Sequence, residues 1–406
     1  MSARKVVVTG LGAVSPFGVG VETLWDNLVE GRYAIRPLTR FDTSEYRYKE
    51  GGEVPDFEFT APVEPADGID RANRYLLTAA AEALADAGLE PDRAGGPGTG
   101  VMLGTNFGAG ETIERWFKES GSADTERLRD LFFEARLGSA GDRLATWLEA
   151  LGPRLVLSLS CSSGASAVAV GLDLIRRGAA DRVVAGGYDS LSEFAWSGLS
   201  ILRTMTAGKI RPFDARRDGT IFSEGAGVLL LEEMELARGR GARVYAEVAG
   251  AGVNNNAFHM TAPDQWGTGL RRAIEAALAD AGVEPGGVDF VMAHGTGTKY
   301  NDASETQALK AALGPRAAQV PVVSIKSMIG HTMGASSSLE EVATLLAMTR
   351  GVAPGTINCE ERDPECDLDY VTEGTRDGLK IGVALANSSG IGGSNAVVVF
   401  RKAADR

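Results

Sequence analysis

The sequence predicts an α/β sandwich with largely buried sheets. Apolar segments bounded by glycine recur along the chain at the length of buried strands: Lys5–Gly10, Gly100–Gly104, Leu155–Ser160, Arg182–Gly186, Val228–Leu231, Val288–Ala293, Val320–Ser324 and Ala396–Phe400. Apolar residues at helical spacing alternate with them, as in Leu270, Ile274, Leu278 and Ala281, and in Leu339, Val342 and Leu346. Strands that alternate with helices favour sheets covered on both faces.

Two segments are similar enough to indicate an internal duplication. Leu155–Cys161 leads into a predicted helix that ends at Gly178, and Val322–Ser327 leads into one that ends at Gly351. The second copy spans 24 positions from Ser327 against 17 from Cys161, and the difference, 24 − 17 = 7 residues, lies in Met328–Gly334. A loop gained by one copy indicates that the two halves contribute different groups to one site.

The duplication predicts two domains. Residues 1–250 form an N-terminal half with Cys161, and residues 251–406 form a C-terminal half with His294, Lys326 and His331. Within the first half, Glu111–Gly152 is richer in charge than its flanks, which predicts helices that cover a rim of the sheet.

Composition is that of a globular enzyme and excludes some partners. The 406 residues are 44% hydrophobic and 23% charged, and 41 Lys and Arg against 54 Asp and Glu give a net charge of −13. The electrostatic field of so negative a chain repels nucleic acid and anionic membranes. An acidic protein partner would need a local basic patch. One basic stretch could form such a patch or could be a solvated loop, and both interpretations stay open: Lys209, Arg211, Arg216 and Arg217.

Cysteine usage and the N-terminus predict a cytoplasmic protein. Cys161, Cys359 and Cys366 form neither a disulfide framework nor a metal-ligand spacing, which favours a reducing compartment. The apolar run Lys5–Gly10 is too short for a signal peptide, and no span has transmembrane length.

Cys161 is the candidate nucleophile. It follows a predicted strand and precedes a helix of small residues, so its sulfur is expected near a helix N-terminus, where backbone N–H groups and the helix dipole lower a thiol pKa. The strand-to-helix turn resembles a nucleophile elbow. A buried structural cysteine is the alternative for a single residue of this type.

Two of the three histidines lie in Gly-rich loops that follow apolar strands. These are His294, in Ala-His-Gly-Thr-Gly-Thr, and His331, in Ile-Gly-His-Thr-Met-Gly, and their matching placement favours a shared site. A structural role is the alternative for either residue alone, and His259 is predicted to be structural. Lys326 ends an apolar strand and is expected at the same site, neutralised by Glu340 or Glu305.

The C-terminal segment Asn387-Ser-Ser-Gly-Ile-Gly-Gly-Ser-Asn395 contains no Walker lysine. Its glycines favour a loop of backbone N–H donors that approach an oxyanion closely, and a plain hairpin turn is the alternative.

Together, five ordered motifs resemble the elongating β-ketoacyl synthases over nearly the whole chain: Ser158-Leu-Ser-Cys-Ser-Ser-Gly164, Arg211-Pro-Phe-Asp-Ala-Arg-Arg-Asp-Gly219, His294-Gly-Thr-Gly-Thr-Lys-Tyr-Asn-Asp302, Lys326-Ser-Met-Ile-Gly-His331 and the C-terminal glycine loop. The resemblance implies the thiolase fold, a duplicated five-layered α-β-α-β-α sandwich, and an obligate dimer. It also implies decarboxylative Claisen condensation of malonyl units on acyl carrier protein.

The resemblance implies a role for each matching residue. Cys161 takes the acyl group from phosphopantetheine, His294 and His331 polarise the malonyl thioester, and Lys326 orients them with Glu305 and Glu340. Thr296 and Thr298 match positions that bind pantetheine, and the backbone N–H groups of Cys161 and Ile391 match the oxyanion hole. No metal or redox cofactor is expected, since the malonyl carboxylate supplies the driving force.

Three segments most resemble ketosynthase subunits of actinobacterial type II polyketide synthases, which pair with a chain-length factor that lacks the cysteine: Asn256–Thr261, Lys326–Gly334 and Asp363–Tyr370. The C-terminal loop departs from the family, because Ser389 and Ile391 stand where two phenylalanines are usual and the second of these gates the acyl pocket. A smaller Ile391 is compatible with a bulkier or stiffer chain, such as a conjugated polyene, and with an altered partner interface.

Three other functions are considered for a chain with these motifs. A non-catalytic chain-length factor or scaffold is disfavoured by Cys161 and both loop histidines. A thiolase needs a second cysteine in the C-terminal loop, and Cys359 and Cys366 precede that loop by more than twenty residues. A housekeeping fatty-acid synthase shares every catalytic residue and stays open, as does the choice between a homodimer and a heterodimer.

Overall fold

The computed structural model describes residues 4–61, 63 and 68–403. The strands of these residues are β1 (Val6–Ser15), β2 (Gly18–Val19), β3 (Arg36–Pro37), β4 (Glu50–Gly51), β5 (Thr99–Gly104), β6 (Arg154–Leu157), β7 (Arg182–Asp189), β8 (Gly225–Glu233), β9 (Ala246–Asn255), β10 (Phe290–Met292), β11 (Val322–Val323), β12 (Val383–Ser389) and β13 (Ser394–Arg401). The helices are α1 (Val21–Val29), α2 (Arg71–Asp86), α3 (Pro91–Ala94), α4 (Gly110–Glu119), α5 (Thr125–Ala135), α6 (Ser139–Leu148), α7 (Ser163–Arg176), α8 (Glu193–Ile201), α9 (Met234–Gly239), α10 (Thr268–Ala281), α11 (Asn301–Leu313), α12 (Lys326–Ile329) and α13 (Ser336–Arg350).

All eight predicted strand segments form strands, with somewhat different bounds. The sequence prediction missed the two-residue strands β2, β3 and β4 and the longer strands β9 and β12. Strand β9 is rich in alanine and glycine and β12 in alanine and serine, so their strand propensity is weak. The small residues of β9 let α10 approach: a Cβ on Gly250 would lie 2.7 Å from the Ala277 carbonyl oxygen, and one on Gly252 would lie 2.1 Å from that of Ala273. Close helix packing therefore determines the composition of this strand.

The same strand order occurs twice. The first half of the sheet runs β6-β5-β7-β8-β1 and the second runs β11-β10-β12-β13-β9, with parallel pairing at β6-β5-β7 and β11-β10-β12. The halves join where β1 pairs with β9 at Val7–Glu247 and Val8–Ala246. This repetition agrees with the predicted duplication. Residue 250 lies within β9, and the division of the chain at that residue stays a prediction.

Three hydrophobic cores fill the spaces between the five layers of the predicted sandwich, the largest of them on both sides of the central helices. Helices α2 and α6 pack on the outer face of the first half-sheet, and α10 and α11 pack on the outer face of the second. Helices α7 and α13 lie between the half-sheets in the largest core. Every residue of α13 from Ser336 to Met348 is buried, including the carboxylic acids Glu340 and Glu341. Polar residues in so apolar a layer indicate a site.

The peripheral segments show two further outcomes. The charged segment 111–152 forms most of α4 and all of α5 and α6, as predicted for a rim. In the basic stretch after residue 208, Arg211 and Arg216 pair with Glu360 and Arg217 pairs with Asp363, whereas Lys209 is exposed. Within residues 4–61, 63 and 68–403, no helix combines the length and apolar character needed to cross a membrane.

Candidate active site

The predicted site residues come from four turns that meet at one cavity. Cys161 lies between β6 and α7, His294 follows β10, His331 lies between α12 and α13, and Ile391 lies in the turn of the β12–β13 hairpin. The cavity is lined by eight of the predicted residues: Cys161, His294, Thr296, Thr298, Glu305, His331, Ser389 and Ile391. The C-terminal loop is thus a hairpin turn that also borders the cavity.

The turn before α7 presents Cys161 to the cavity. Ser160 adopts the left-handed conformation at φ 54°, and Ser163 fastens the turn by accepting the Leu159 N–H at 2.9 Å and donating to the Ser160 carbonyl at 2.5 Å. The Ser388 hydroxyl donates to the Cys161 carbonyl at 2.9 Å and connects the turn to β12. A non-glycine residue in this backbone region is strained, and such strain is common at nucleophiles.

The structure corrects the predicted ionisation of Cys161. The side chain is only 5% exposed, and burial raises the pKa of the thiol to about 11, against the lowering effects of Lys326 and of backbone N–H groups. The helix N-terminus alone therefore does not produce a thiolate. At neutral pH the resting sulfur is a thiol, which must lose its proton when the acyl group arrives.

The backbone N–H groups of Ile391 and of Cys161 itself lower the pKa of the thiol and so lie next to the sulfur. The Ser160 hydroxyl donates to the Ile391 carbonyl at 2.7 Å and holds the hairpin turn against α7. A Cβ on Gly390 would lie 2.8 Å from the Ser160 Cβ and 3.1 Å from the Cys161 nitrogen, so only glycine fits there. These two N–H groups are positioned to bind an oxyanion that forms on an acyl group carried by the sulfur.

His294 and His331 face each other, with ring centroids 5.4 Å apart and planes at 84°. Burial lowers the pKa of both rings well below the usual value, with Lys326 adding to the effect, so both are neutral. His331 Nδ1 accepts the Met333 N–H at 3.2 Å, and Lys326 Nζ lies 3.4 Å from His294 Nδ1. Because each Nδ1 faces a donor, each ring carries its proton on Nε2.

Lys326 is fully buried and forms an ion pair with Glu340. The alternative partner, Glu305, has another role: it accepts the backbone N–H groups of His294 and Gly295, each at 2.8 Å. Burial raises the pKa of Glu305 to about 7. Glu305 therefore fixes the backbone of the His294 loop, whereas Glu340 fixes the ammonium behind the ring.

Thr296 and Thr298 lie on the wall next to His294, with their hydroxyl oxygens 2.9 Å apart. Their loop depends on Asp302, which the sequence analysis did not single out. Its carboxylate accepts the N–H groups of Thr296 and Gly297, at 3.1 Å each, and that of Phe213 at 2.8 Å. The signal was present, since Asp302 ends the His294 motif and Phe213 lies in the Arg211–Gly219 motif.

Ser389 also lines the cavity, and its hydroxyl donates to Asn395 Oδ1 at 2.9 Å. Phe222 was also missed; its ring centroid lies 5.5 Å from that of His331. His259 is exposed at the cavity and accepts the Thr261 and Ala262 N–H groups at 3.1 and 3.2 Å, which fits a structural role. Cys359 and Cys366 lie in or beside the core beneath α10, and neither lines the cavity.

Comparisons with known proteins agree with this geometry. Residues 3–237 match the N-terminal domain of β-ketoacyl synthases, and residues 245–360 match the C-terminal domain. The chain is 37% identical to 3-oxoacyl-[acyl-carrier-protein] synthase 2 of Synechocystis sp., over 99% of both chains. It is 40% identical to the tetracenomycin polyketide synthase ketoacyl synthase alpha subunit of Streptomyces glaucescens, over 98% of this chain and 97% of that one.

A solved structure, the ishigamide ketosynthase/chain length factor, superposes with a TM-score of 0.93 at 38% identity, over 99% of this chain and 100% of that one. The family models together span more than half of the chain, and both full-length relatives exceed 30% identity. The chain is a member of the β-ketoacyl synthase family and has its acyltransferase-type, β-ketoacyl-[acyl carrier protein] synthase function.

Proposed function

We propose that this chain is the catalytic ketosynthase subunit of a type II polyketide synthase. The observation that carries the proposal is one cavity with a cysteine sulfur, two backbone N–H groups next to that sulfur and two facing neutral imidazoles. A chain-length factor lacks the cysteine, so the retained Cys161 favours the catalytic member. The 40% identity to a polyketide ketosynthase alpha subunit supports the pathway.

In the first step the Cys161 sulfur attacks an acyl thioester on the phosphopantetheine of acyl carrier protein. A C–S bond forms to Cys161, the C–S bond to pantetheine breaks, and the cysteine proton leaves with the pantetheine thiol. The N–H groups of Cys161 and Ile391 stabilise the tetrahedral oxyanion. Thr296 and Thr298 bind the pantetheine arm along the cavity wall.

In the second step malonyl carrier protein enters the same cavity. The Nε2–H groups of His294 and His331 donate to its thioester carbonyl and stabilise the enolate as the carboxylate leaves as carbon dioxide. The enolate carbon then attacks the acyl-cysteine, the C–S bond to Cys161 breaks, and the departing thiolate takes up a proton from water. A neutral imidazole whose Nδ1 faces a hydrogen-bond donor carries its proton on Nε2. Burial keeps both rings neutral, and the Lys326 ammonium faces Nδ1 of His294.

We further propose that the chain works in the cytoplasm with acyl carrier protein and a chain-length-factor homologue as a heterodimer. Carbon dioxide loss supplies the driving force, so neither a metal nor a redox cofactor is required. Ile391 in place of the usual phenylalanine favours a bulky or rigid acyl chain, and a polyene is one such chain. The resemblance to the ishigamide ketosynthase/chain length factor supports the heterodimer.

Fatty-acid synthesis is the alternative, favoured by 37% identity to a 3-oxoacyl synthase 2. Co-expression with a chain-length-factor homologue that lacks the cysteine tests the choice. The proposal predicts a stable heterodimer that elongates acyl carrier protein substrates beyond the products of the chain alone. The polyketide assignment would be contradicted by an active homodimer that, in an assay containing the reductases of fatty-acid synthesis, makes only saturated acyl chains.

A further inference from the structure

Four chain segments make direct backbone contact beneath Cys161. A Cβ on Gly104 would lie 2.2 Å from the Ser163 carbonyl carbon, and one on Gly187 would lie 2.1 Å from the Gly334 oxygen. A Cβ on Gly334 would in turn lie 2.8 Å from the Thr105 Cα. Since only glycine fits, the loop that carries His331 rests directly on the end of β5 and the start of α7, without side chains between them.

Asp189, the last residue of β7, connects these segments. Its Oδ1 accepts the Thr105 hydroxyl at 2.7 Å and the Phe107 N–H at 2.9 Å, and its Oδ2 accepts the Asn106 N–H at 2.9 Å. Oδ2 also accepts the Gly334 N–H at 2.7 Å. Three of these donors belong to the N-terminal half of the chain, and the fourth belongs to the loop of His331.

The Asp189 carboxylate is fully buried, and the four donors that solvate it are neutral groups. Burial raises its pKa to about 6, so the group is ionised at neutral pH. The four donors of such a buried charge can move little, because each lost hydrogen bond leaves part of the desolvation free energy of the carboxylate uncompensated. The carboxylate therefore holds its donors in one arrangement.

We propose that Asp189 is a positioning residue that fixes the His331 loop relative to Cys161, an inference that rests on the proposed function. Gly334 is three residues from His331, and Thr105 to Phe107 lie against the start of the nucleophile helix. The hydrogen bond to Gly334 thus sets how far the imidazole stands from the sulfur. Asp189 touches no substrate and acts through His331.

The substitution Asp189→Asn tests the role. Because both oxygens accept backbone N–H groups, the amide nitrogen of the variant must oppose one of them. Oδ1 accepts Thr105 and Phe107, and the Asn106 N–H that is bonded to Oδ2 also lies 3.1 Å from Oδ1. The amide nitrogen is therefore expected to replace Oδ2, face the Gly334 N–H and release the His331 loop. A displacement of about 1 Å in a catalytic group costs up to roughly 100-fold in rate.

Two partial reactions are measured separately by mass spectrometry of the full-length protein, with any partner subunit it requires. These are acyl transfer to Cys161 and carbon dioxide loss from malonyl carrier protein. The inference predicts that Asp189→Asn slows decarboxylation roughly 10- to 100-fold and changes acyl transfer by less than about 3-fold. A merely structural role would reduce both reactions together through the folded fraction.

Asp289→Asn is the matched control. Asp289 also accepts two backbone N–H groups, those of Gly382 and Val383, and none of these residues lines the cavity, so its replacement should leave the ratio of the two rates unchanged. If Asp189→Asn does not fold, Thr105→Val removes one donor of the same carboxylate and should shift the ratio in the same direction, by roughly 2- to 5-fold.

Equal loss of both reactions, or of neither, in a folded Asp189 variant would overturn the inference while the proposed function stands. A wild-type protein that performs neither reaction would instead contradict the proposed function.

Discussion

Replacement of Lys326 by methionine gives a quantitative test of the buried polar cluster. Methionine keeps the length of the side chain but removes the ammonium that pairs with Glu340 and lies 3.4 Å from His294 Nδ1. A hydrogen bond from a charged donor contributes about 1.5–3 kcal/mol. If that interaction holds His294 in its productive tautomer, its loss slows decarboxylation roughly 10- to 150-fold.

The effect on stability is smaller than for an ordinary broken ion pair. Removal of one partner of a buried pair costs about 3–5 kcal/mol when a charge is left behind. Burial already raises the pKa of Glu340 to about 7, and Lys326 opposes that rise. Without the ammonium the pKa rises further, so Glu340 takes up a proton at pH 7 and the free energy of unfolding falls by only about 1–3 kcal/mol.

The assay is carbon dioxide release from malonyl carrier protein, with thermal unfolding measured in parallel. Lys310→Met is the control, because Lys310 pairs with Asp367 at the surface and the same chemical change there costs about 1 kcal/mol or less. Decarboxylation at the wild-type rate in a folded Lys326→Met protein would refute the assigned role of the ammonium.

Three further substitutions have defined outcomes. Gly390→Ala places a Cβ 3.1 Å from the Cys161 nitrogen and should reduce turnover about 100-fold with acyl binding retained, as measured by steady-state kinetics; unchanged turnover would contradict the oxyanion geometry. Glu341→Gln removes a buried carboxyl whose pKa is raised by burial. The wild-type protein loses stability as pH rises above the ordinary carboxyl pKa, because the unfolded chain then releases a proton that the folded protein keeps. The variant should therefore exceed the wild type in free energy of unfolding by about 1–3 kcal/mol, with a difference that grows from pH 5 to pH 8 in denaturant titrations, and a difference independent of pH would contradict the buried, protonated state of Glu341. Ile391→Phe should discriminate roughly 10-fold against rigid acyl chains relative to flexible ones in competition assays, and no change in preference would exclude a gating role.

The sequence was informative wherever local pattern and local structure coincide. Apolar runs bounded by glycine located the predicted strands, and the 7-residue difference between the two copies located the loop of His331. The repeated strand order then explains why Cys161 and His331 meet, since each follows the corresponding strand, β6 or β11, of its own half. The spacing of the two copies along the chain was therefore sufficient to predict that Cys161 and His331 share one site.

Properties that depend on packing in three dimensions were not predictable in this way. Proximity to a helix N-terminus suggested an ionised Cys161, but the side chain is buried, and desolvation outweighs the helix terminus. Glu305 and Glu340 could not be distinguished from spacing, because their different partners depend on how α11 and α13 approach the His294 loop. Asp189 carries no motif, and its role depends on four donors that meet only in the folded chain.

The most direct test of the account separates the sulfur from the imidazoles. Cys161→Ala is incubated with acyl carrier protein carrying acyl or malonyl groups, and protein mass and carbon dioxide release are followed together. The account predicts no acylated protein and no extended product, with malonyl decarboxylation continuing at His294 and His331. Acylation that persists in the variant would contradict the assignment of Cys161, and decarboxylation that vanishes with the thiol would contradict the division of labour between the two halves.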